Sequence, residues 1–243
     1  MTPAPTTGPG LAVTSSTGVM SLAVGRVGPD ATGEPVAIEL ATERRHAEEL
    51  GPQMVQLLER AGLTMSDLTW LAVDVGPGRF TGLRVGLATI RGLAFALDIP
   101  VVGLTSLEIL AAGAGAGPPA DTVDAGAAGP VTAVIDARRK EVFQQVFVDG
   151  EPAGPPSVGL PEDLATAAQG TVLGDGLDRY PEPYQDRGDA GLRLLPGHNP
   201  RAADLLTLGA GRTPRPGVEV GPLYLRDPDA KANIRTRPQA VTP

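Results

Sequence analysis

The first hundred residues alternate between short apolar runs and stripes of apolar residues at helical spacing. Three apolar runs come first, bounded by Gly, Ser, Thr and Pro, at residues 11–13, 20–24 and 35–40. This pattern predicts an antiparallel meander of three strands. A helix–strand–helix–strand series follows, over residues 52–61, 68–75, 81–97 and 101–103. Strands that alternate with helices in this way predict parallel crossovers and therefore an α/β fold.

The second half of the chain begins with a change of composition. Residues 111–130 are nearly all Ala, Gly, Pro and Asp, which is typical of a flexible insertion. Beyond it the pattern predicts paired strands at 131–136 and 141–148, short helices at 161–168 and 201–210, and a strand at 171–173. The predicted organisation is a disordered tail (1–10), an N-terminal lobe (11–104), a C-terminal lobe (105–226) and a second tail (227–243).

Composition excludes several classes of function. The net charge of −8 and the 3% of aromatic residues argue against a chain that grips nucleic acid alone, because such proteins rely on cationic and aromatic surfaces. The absence of cysteine excludes disulfides, thiolate metal sites and thiol catalysis. The N-terminus lacks the pattern of a signal peptide, and no uninterrupted apolar run has the length of a membrane span. A cytoplasmic protein with no membrane partner is expected.

A glycine-rich turn separates the strand at 68–75 from the helix at 81–97. Gly76-Pro77-Gly78 ends the strand, and Thr81 is expected to cap the helix. The N–H groups at such a helix start could receive an anion or a nucleotide, through Gly76, Gly78, Thr81 and Gly82. The segment is not a P-loop, because no Lys-Ser/Thr pair follows the glycines. An ordinary structural turn is an equally good interpretation.

The helix at 81–97 contains three internal glycines, Gly82, Gly86 and Gly92, each of which costs about 1 kcal/mol relative to Ala. Glycines four residues apart give a shallow face that another helix can approach closely. Packing on the protein's own sheet is the simpler explanation for one face. Because apolar residues nearly encircle this helix, a second buried contact is also expected. With the helix at 52–61 beside it, a two-helix surface would be available to a partner.

Several motifs closely resemble the TsaB (YeaZ) family of the actin/Hsp70/sugar-kinase-like superfamily. They comprise His46 to Pro52, Ala61 to Leu63, Asp67-Leu68, Gly76 to Arg84, Gly92 to Ala94, Thr105 to Glu108, Asp136 to Phe143, Gly174 to Gly176 and Pro222 to Arg226. The most specific of them is GPGRFTGLR, at residues 76–84. The resemblance covers nearly all of the chain after residue 10. It implies an α/β fold of two ribonuclease-H-like lobes.

The resemblance also implies a role in modifying tRNA. Members of the family are expected to pair with a catalytic paralogue, TsaD, alongside a small ATPase, TsaE, and a homodimer is an alternative pairing. Together these subunits place threonylcarbamoyl on the tRNA adenosine next to the anticodon, so this chain would meet tRNA only through the complex. The implied interface maps onto residues 46–61 and 81–97. Its expected members are His46, Leu50, Met54, Leu57, Leu58, Leu83, Gly86, Leu87 and Ile90.

Departures from the superfamily pattern predict a subunit without catalytic residues, cofactor or metal. Thr14 stands where nucleotide-handling relatives carry an acidic residue, and arginines follow Asp136 where a phosphate would need space. Leu50 replaces the second histidine of the paralogue's metal pair, so His46 alone is a poor metal site. The alternatives are a free-standing ATP-binding kinase or hydrolase and, less favoured by these residues, a metallopeptidase.

Overall fold

The first of two β-sheets is built from the N-terminal half of the chain. The computed structural model describes residues 8–27, 33–41, 46–115, 129–187 and 191–226. The first sheet has the order β3-β2-β1-β4-β5. Its strands are β1 (Pro9–Thr14), β2 (Val19–Arg26), β3 (Val36–Ala41), β4 (Trp70–Asp74) and β5 (Val101–Leu104). Strands β1 to β3 form the predicted antiparallel meander, and β4 and β5 extend it in parallel.

Two helices cover one face of this sheet, α1 (His46–Arg60) and α2 (Phe80–Leu97). Alternate strand residues, among them Leu11, Leu22 and Val73, form a core with the apolar stripes of both helices. Helix α1 begins earlier than the predicted residue 52, because Leu50 continues its buried stripe and the internal Pro52 lies on the exposed side. Residues 46–60 and 80–97 are therefore the two helices that the sequence marked.

The opposite face of the first sheet is covered by α3 (Ser106–Ala112) and α7 (Ala202–Ala210). Gly209 lets α7 lie close to Trp70, since a Cβ there would be 3.0 Å from the indole ring. The Ser21 hydroxyl accepts a hydrogen bond from the Ala202 N–H at 3.0 Å. The predicted boundary between the lobes at residue 104 therefore does not separate them in space, because α7 returns from the C-terminal part of the chain and packs on the first sheet.

The second sheet is formed by the C-terminal half, in the order β11-β10-β6-β7-β8 with β9 also paired to β7. Its strands are β6 (Val131–Arg138), β7 (Glu141–Val148), β8 (Glu151–Pro152), β9 (Ser157–Gly159), β10 (Thr171–Leu173) and β11 (Arg193–Leu195). One face packs on α3, which therefore lies between the two sheets. The other face is covered by α4 (Pro161–Leu164), α5 (Asp175–Arg179) and α6 (Glu182–Gln185). The predicted two-lobed α/β fold is confirmed.

Several predicted boundaries change. Residues 111–115 are not part of a linker but complete α3 and a 3-10 turn, whereas 116–128 lie outside the described residues. The N-terminal tail was predicted to reach residue 10, but β1 already begins at Pro9 because its backbone pairs with β2. Residues 1–7 and 227–243, the rest of the predicted tails, are also outside the described part of the chain.

Helix α2 is the one helix in the described residues with the length and composition to cross a bilayer. Such a test is also passed by core helices of soluble proteins. Here α2 buries Leu83, Leu87 and Ile90 in the core against the first sheet. That packing accounts for the apolar residues on the inward side of α2.

Candidate functional site: an outward helix face and the cleft between the lobes

Most of the residues predicted to form the partner interface lie on the buried sides of α1 and α2. At 0–4% exposure these side chains belong to the chain's own core: Leu50, Met54, Leu57, Leu58, Leu83, Leu87 and Ile90. The interface prediction is wrong for these seven residues, because burying them against the sheet leaves no surface for a second protein. His46 begins α1, but its side chain lies outside the described part of the structure.

Gly86 also faces inward. A Cβ at this position would lie 2.4 Å from the Ser15 Oγ and 3.7 Å from the Val13 side chain. The Ser15 hydroxyl in turn donates a 2.9 Å hydrogen bond to the Gly82 carbonyl. The close approach that Gly86 permits is therefore to the turn between β1 and β2, not to a partner helix. This position is a second correction to the predicted interface.

The outward stripes of the same two helices carry small and apolar residues. Phe95 on α2 is 86% exposed and Val55 on α1 is 51% exposed. Among the residues that the structure describes, a Cβ added at Gly51 or Gly92 would meet nothing within 4 Å, so both glycines lie on the open side of their helices. Because both helices pack on the same face of the sheet, their outward sides point in a common direction. We call this set, Gly51, Val55, Ala88, Gly92 and Phe95, the outer helix face.

Phe95 was not among the predicted interface residues, although the sequence contains a signal for it. Arg84, Ala88, Arg91 and Phe95 recur at spacings of three and four residues, which places them on one stripe of α2. Charged residues on that stripe indicate the solvent side. Phe95 therefore belongs to an exposed stripe, and an exposed large aromatic residue on a helix is typical of a binding surface.

The glycine turn after β4 lies where the two lobes meet. Gly78 fits against the β1–β2 turn, since a Cβ there would be 2.4 Å from the Ser16 carbonyl oxygen. Gly76, at φ 96°, is buried against Leu83 and the Leu223 backbone. Of the four predicted anion contacts, Gly76 and Gly82 are buried, Gly78 is half-buried and Thr81 is exposed. An anion contact at this turn stays a prediction.

Arg79, not Thr81, occupies the N-cap position of α2, and it makes no capping hydrogen bond through its side chain. Its N–H donates to the Ser16 carbonyl at 2.6 Å. Its guanidinium lies beside Gly18, where an added Cβ would be 3.0 Å from a terminal nitrogen. Its charge also acts on Asp175 in the other lobe. Arg79 thus places a positive charge between the two lobes.

Carboxylates from both lobes lie around this junction. Asp74, fully buried at the end of β4, accepts hydrogen bonds from the Ser106 hydroxyl and from the Gly76 N–H. Burial raises the pKa of the Asp74 carboxyl. Asp136 forms ion pairs with Arg138 at 3.4 Å and with Arg179 at 3.6 Å. Another carboxylate, Asp175, lies between two glycines and begins α5.

Asp175 provides a test of the electrostatics at the junction. Burial raises the pKa of its carboxyl to about 6, and the neighbouring Asp136 charge contributes further, against the lowering effects of the Asp136 N–H and Arg79. The folded state therefore binds the Asp175 proton more tightly than the unfolded state, whose pKa is near 3.8. The free energy of unfolding contributed by this group accordingly falls as the pH rises from about 4 to about 6.

We expect Asp175→Asn to be more stable than the wild-type protein at pH 7.5 by about 1–2 kcal/mol, with the difference vanishing near pH 4. Urea unfolding at a series of pH values measures the difference. The exposed Asp186 provides the control. Asp186→Asn also removes a carboxylate of this lobe, but that carboxylate is in contact with solvent, so its removal relieves no cost of burying a charge. A constant difference between Asp175→Asn and the wild-type protein over this pH range would contradict the assignment.

The resemblance places Thr14 where nucleotide-handling relatives are expected to carry a carboxylate. Its hydroxyl donates a 2.8 Å hydrogen bond to the Pro200 carbonyl, in a fully buried environment. This hydrogen bond connects the end of β1 to the segment before α7. The two β-sheets and the junction between them define a two-lobed α/β protein.

Comparisons with known proteins identify the family within that class. The family model "TsaD: tRNA N6-adenosine threonylcarbamoyltransferase" matches residues 39–151. An uncharacterised protein of Mycobacterium tuberculosis is 35% identical over 203 residues, 82% of each chain. The tRNA threonylcarbamoyladenosine biosynthesis protein TsaB of Bacillus subtilis is 28% identical over 78% of this chain and 83% of its own length.

A solved structure agrees with these relatives. A Pseudomonas aeruginosa protein, described as similar to the peptidase YeaZ, superposes with a TM-score of 0.74 at 31% identity, over 90% of this chain and all of that one. The chain belongs to the TsaB (YeaZ) family. The resemblance drawn from residues 46–226 is therefore confirmed.

Proposed function

We propose that this chain is the non-catalytic subunit of a complex that forms threonylcarbamoyladenosine in tRNA, and that it acts by pairing with a catalytic paralogue of the TsaD type. The named members of its family are tRNA threonylcarbamoyladenosine biosynthesis proteins, which supports the pathway. In the proposed complex TsaD performs the transfer next to the anticodon and the small ATPase TsaE assists.

The outer helix face is the observation that carries the proposal. Large apolar side chains at 86% and 51% exposure, Phe95 and Val55, are unfavourable on a surface that only meets water. Gly51 and Gly92 leave the helix backbones accessible beside them, so a partner helix can approach closely. In protein interfaces the binding energy is concentrated in a few residues, and large aromatic side chains such as Phe95 are frequent among them.

The junction between the lobes supports a non-catalytic role. Thr14 cannot assist a metal-bound phosphate as a carboxylate would, and its hydroxyl is already engaged with the Pro200 carbonyl. Asp136, the other position of the superfamily's phosphate-handling loops, is paired with Arg138 and Arg179. Both groups therefore serve to hold the chain's own structure together.

The charge of the chain supports an indirect relation to tRNA. At a net charge of −8 the surface as a whole repels a polyanion, so the phosphate contacts would come from another subunit. The proposed division of labour gives this chain the task of shaping or stabilising its partner.

Pairing is tested by mixing the purified chain with the TsaD-family protein of the same organism. We expect a 1:1 complex on size-exclusion chromatography with light scattering, and a dissociation constant in the micromolar range or below, which corresponds to a binding free energy of about −8 kcal/mol or stronger. The chain alone, measured at the same concentrations, shows whether a homodimer competes for the same face. Two separate peaks in the mixture at concentrations of tens of micromolar would contradict the proposal.

A further inference from the structure

The outer side of β5 is an edge of the first sheet, because β5 is the last strand in its order. The carbonyls of Pro100 and Leu104 accept hydrogen bonds from β4 and the residue after it at 2.9 Å, so they point into the sheet. The backbone groups of successive strand residues point to alternate sides. The N–H and C=O groups of Val101 and Gly103 therefore point outward, where a further strand could pair with them.

Val101 is already paired at this edge, whereas Gly103 is not. The Val101 N–H donates to the Arg215 carbonyl, and the Val101 carbonyl accepts from the Arg215 N–H, both at 2.8 Å. The next outward N–H, that of Thr105, donates to the Glu108 carboxylate at 2.9 Å. Within the described part of the chain, the N–H and C=O groups of Gly103 have no hydrogen-bond partner, and the residue is exposed between buried neighbours. One residue of the edge is thus open to a ligand.

A cavity of about 500 Å³ lies against this open position, a volume in the range of sites that take small molecules. Its walls are β5 and the segments at 212–215 and 219–221. A Cβ at Gly103 would lie 2.8 Å from the Val75 side chain and 2.9 Å from that of Val220, so no side chain fits there. Among the described residues, neither the glycine turn before α2 nor the β6–β7 turn lines it, so it is separate from the cleft between the lobes.

Charged side chains of both signs surround the cavity. Arg212 pairs with Glu108 at 3.4 Å. Arg215 and Glu219 also line the cavity, and both are exposed and form no ion pair with any residue that the structure describes. One cation and one anion are therefore available at the walls, which suits a ligand that carries both charges better than a simple anion or cation.

We propose that the cavity beside Gly103 binds a short peptide with free termini, in an extended conformation. One residue of the peptide exchanges two backbone hydrogen bonds with Gly103, as when a peptide adds to a sheet edge. Its terminal carboxylate meets Arg215 and its ammonium group meets Glu219. Because the outward positions on either side of Gly103 are already paired, the edge takes a dipeptide or tripeptide and not a long strand. The proposal goes beyond the role in tRNA modification and does not depend on it.

Amide hydrogen exchange in the free chain tests whether the edge is open. The Gly103 N–H should exchange at least about tenfold faster than the N–H of Val102, which points to β4 within the sheet. NMR of the ¹⁵N-labelled full chain measures both rates. Equal protection of the two amides would show that the edge is already paired and would overturn the proposal.

Three peptides test binding itself. Trialanine has free termini, acetyl-trialanine amide lacks both terminal charges, and trialanine with an N-methyl group on the central residue lacks the N–H that pairs with Gly103. We expect trialanine to shift the Gly103 amide signal at millimolar concentration, and the other two to bind at least about tenfold more weakly. No shift with trialanine, or equal binding of either modified peptide, would contradict the proposed pairing.

Variants locate the site. Arg215→Ala should weaken trialanine binding by about tenfold, because it removes the partner of the carboxylate while the backbone pairing with Val101 remains. Arg193→Ala removes an exposed arginine of β11 that does not line the cavity, and should leave binding unchanged. Should Arg215→Ala fail to fold, Glu219→Gln serves instead, since it removes the partner of the ammonium group at an exposed position. Binding that is retained in both cavity variants, or lost equally in Arg193→Ala, would contradict the location.

Discussion

Replacing Phe95 by Asp should abolish binding to the TsaD-type partner while leaving the chain folded. The Phe95 side chain is 86% exposed, so its loss removes little of the packing that stabilises the monomer. In the proposed complex the same position is buried, and an aspartate there would lose the aromatic contact and place a charge in an apolar interface. We expect affinity to fall by at least about 100-fold, or about 2.7 kcal/mol. Calorimetric titration measures this loss, and a thermal melt shows that the variant is folded.

Leu160 offers a matched control for Phe95. It is a large apolar residue at 47% exposure, but it precedes α4 in the second lobe, away from the outer helix face. Leu160→Asp should bind the partner as the wild-type chain does. Equal affinities of Phe95→Asp and Leu160→Asp would show that the outer helix face is not the interface.

Replacing Gly86 by Leu should strongly destabilise the chain before any partner is added. The new Cβ would lie 2.4 Å from the Ser15 Oγ, and the remaining side-chain atoms have no room against the β1–β2 turn. The clash would also displace the hydroxyl that donates to the Gly82 carbonyl. Overpacking of this kind costs about 3 kcal/mol or more, despite the better helix propensity of leucine. Urea unfolding, or a loss of soluble protein, measures the effect.

Gly92 is the control on the same helix. A Cβ there meets nothing within 4 Å in the described part of the chain, so Gly92→Leu should fold and gain about 0.5–1 kcal/mol from helix propensity. Because Gly92 belongs to the outer helix face, the added side chain should nevertheless obstruct the partner. If Gly86→Leu and Gly92→Leu are equally stable, the inward and outward faces of α2 have been assigned incorrectly.

The order of elements in the first lobe could be predicted because each element carries its own local signal. The meander has alternating strands separated by turn residues, and β4 ends at an unmistakable Gly-Pro-Gly turn before α2. The family followed from GPGRFTGLR and its neighbours. These features depend on residues that are close together in the sequence, which is where pattern analysis is strongest.

The choice of interface residues could not be predicted as well, and α2 shows why. Apolar residues nearly encircle this helix, so periodicity alone does not tell which stripe meets the sheet. The large residues Leu83, Leu87 and Ile90 are in fact inward, and the surface that we propose for the partner contains Phe95 and the small residues around Gly92. Arg84 and Arg91 on the stripe of Phe95 were the discriminating evidence.

Features that depend on distant contacts were beyond the sequence. Helix α7 packs on the first sheet because the Thr14 hydroxyl and Ser21 hold the segment around Pro200 and Ala202, nearly two hundred residues away along the chain. In the sequence Asp175 lies between two glycines, and only the folded chain brings it beside Asp136 and Arg79. Such pairings leave no periodic trace in the sequence.

Modification of tRNA in a purified system tests the central proposal most directly. The TsaD-type protein, the ATPase and unmodified tRNA are combined with ATP and the threonylcarbamoyl precursors, with and without this chain, and threonylcarbamoyladenosine is quantified by mass spectrometry. We expect product only when the chain is present, restored by Leu160→Asp but not by Phe95→Asp. Equal product without the chain, or full activity with Phe95→Asp, would contradict a subunit that acts through its outer helix face.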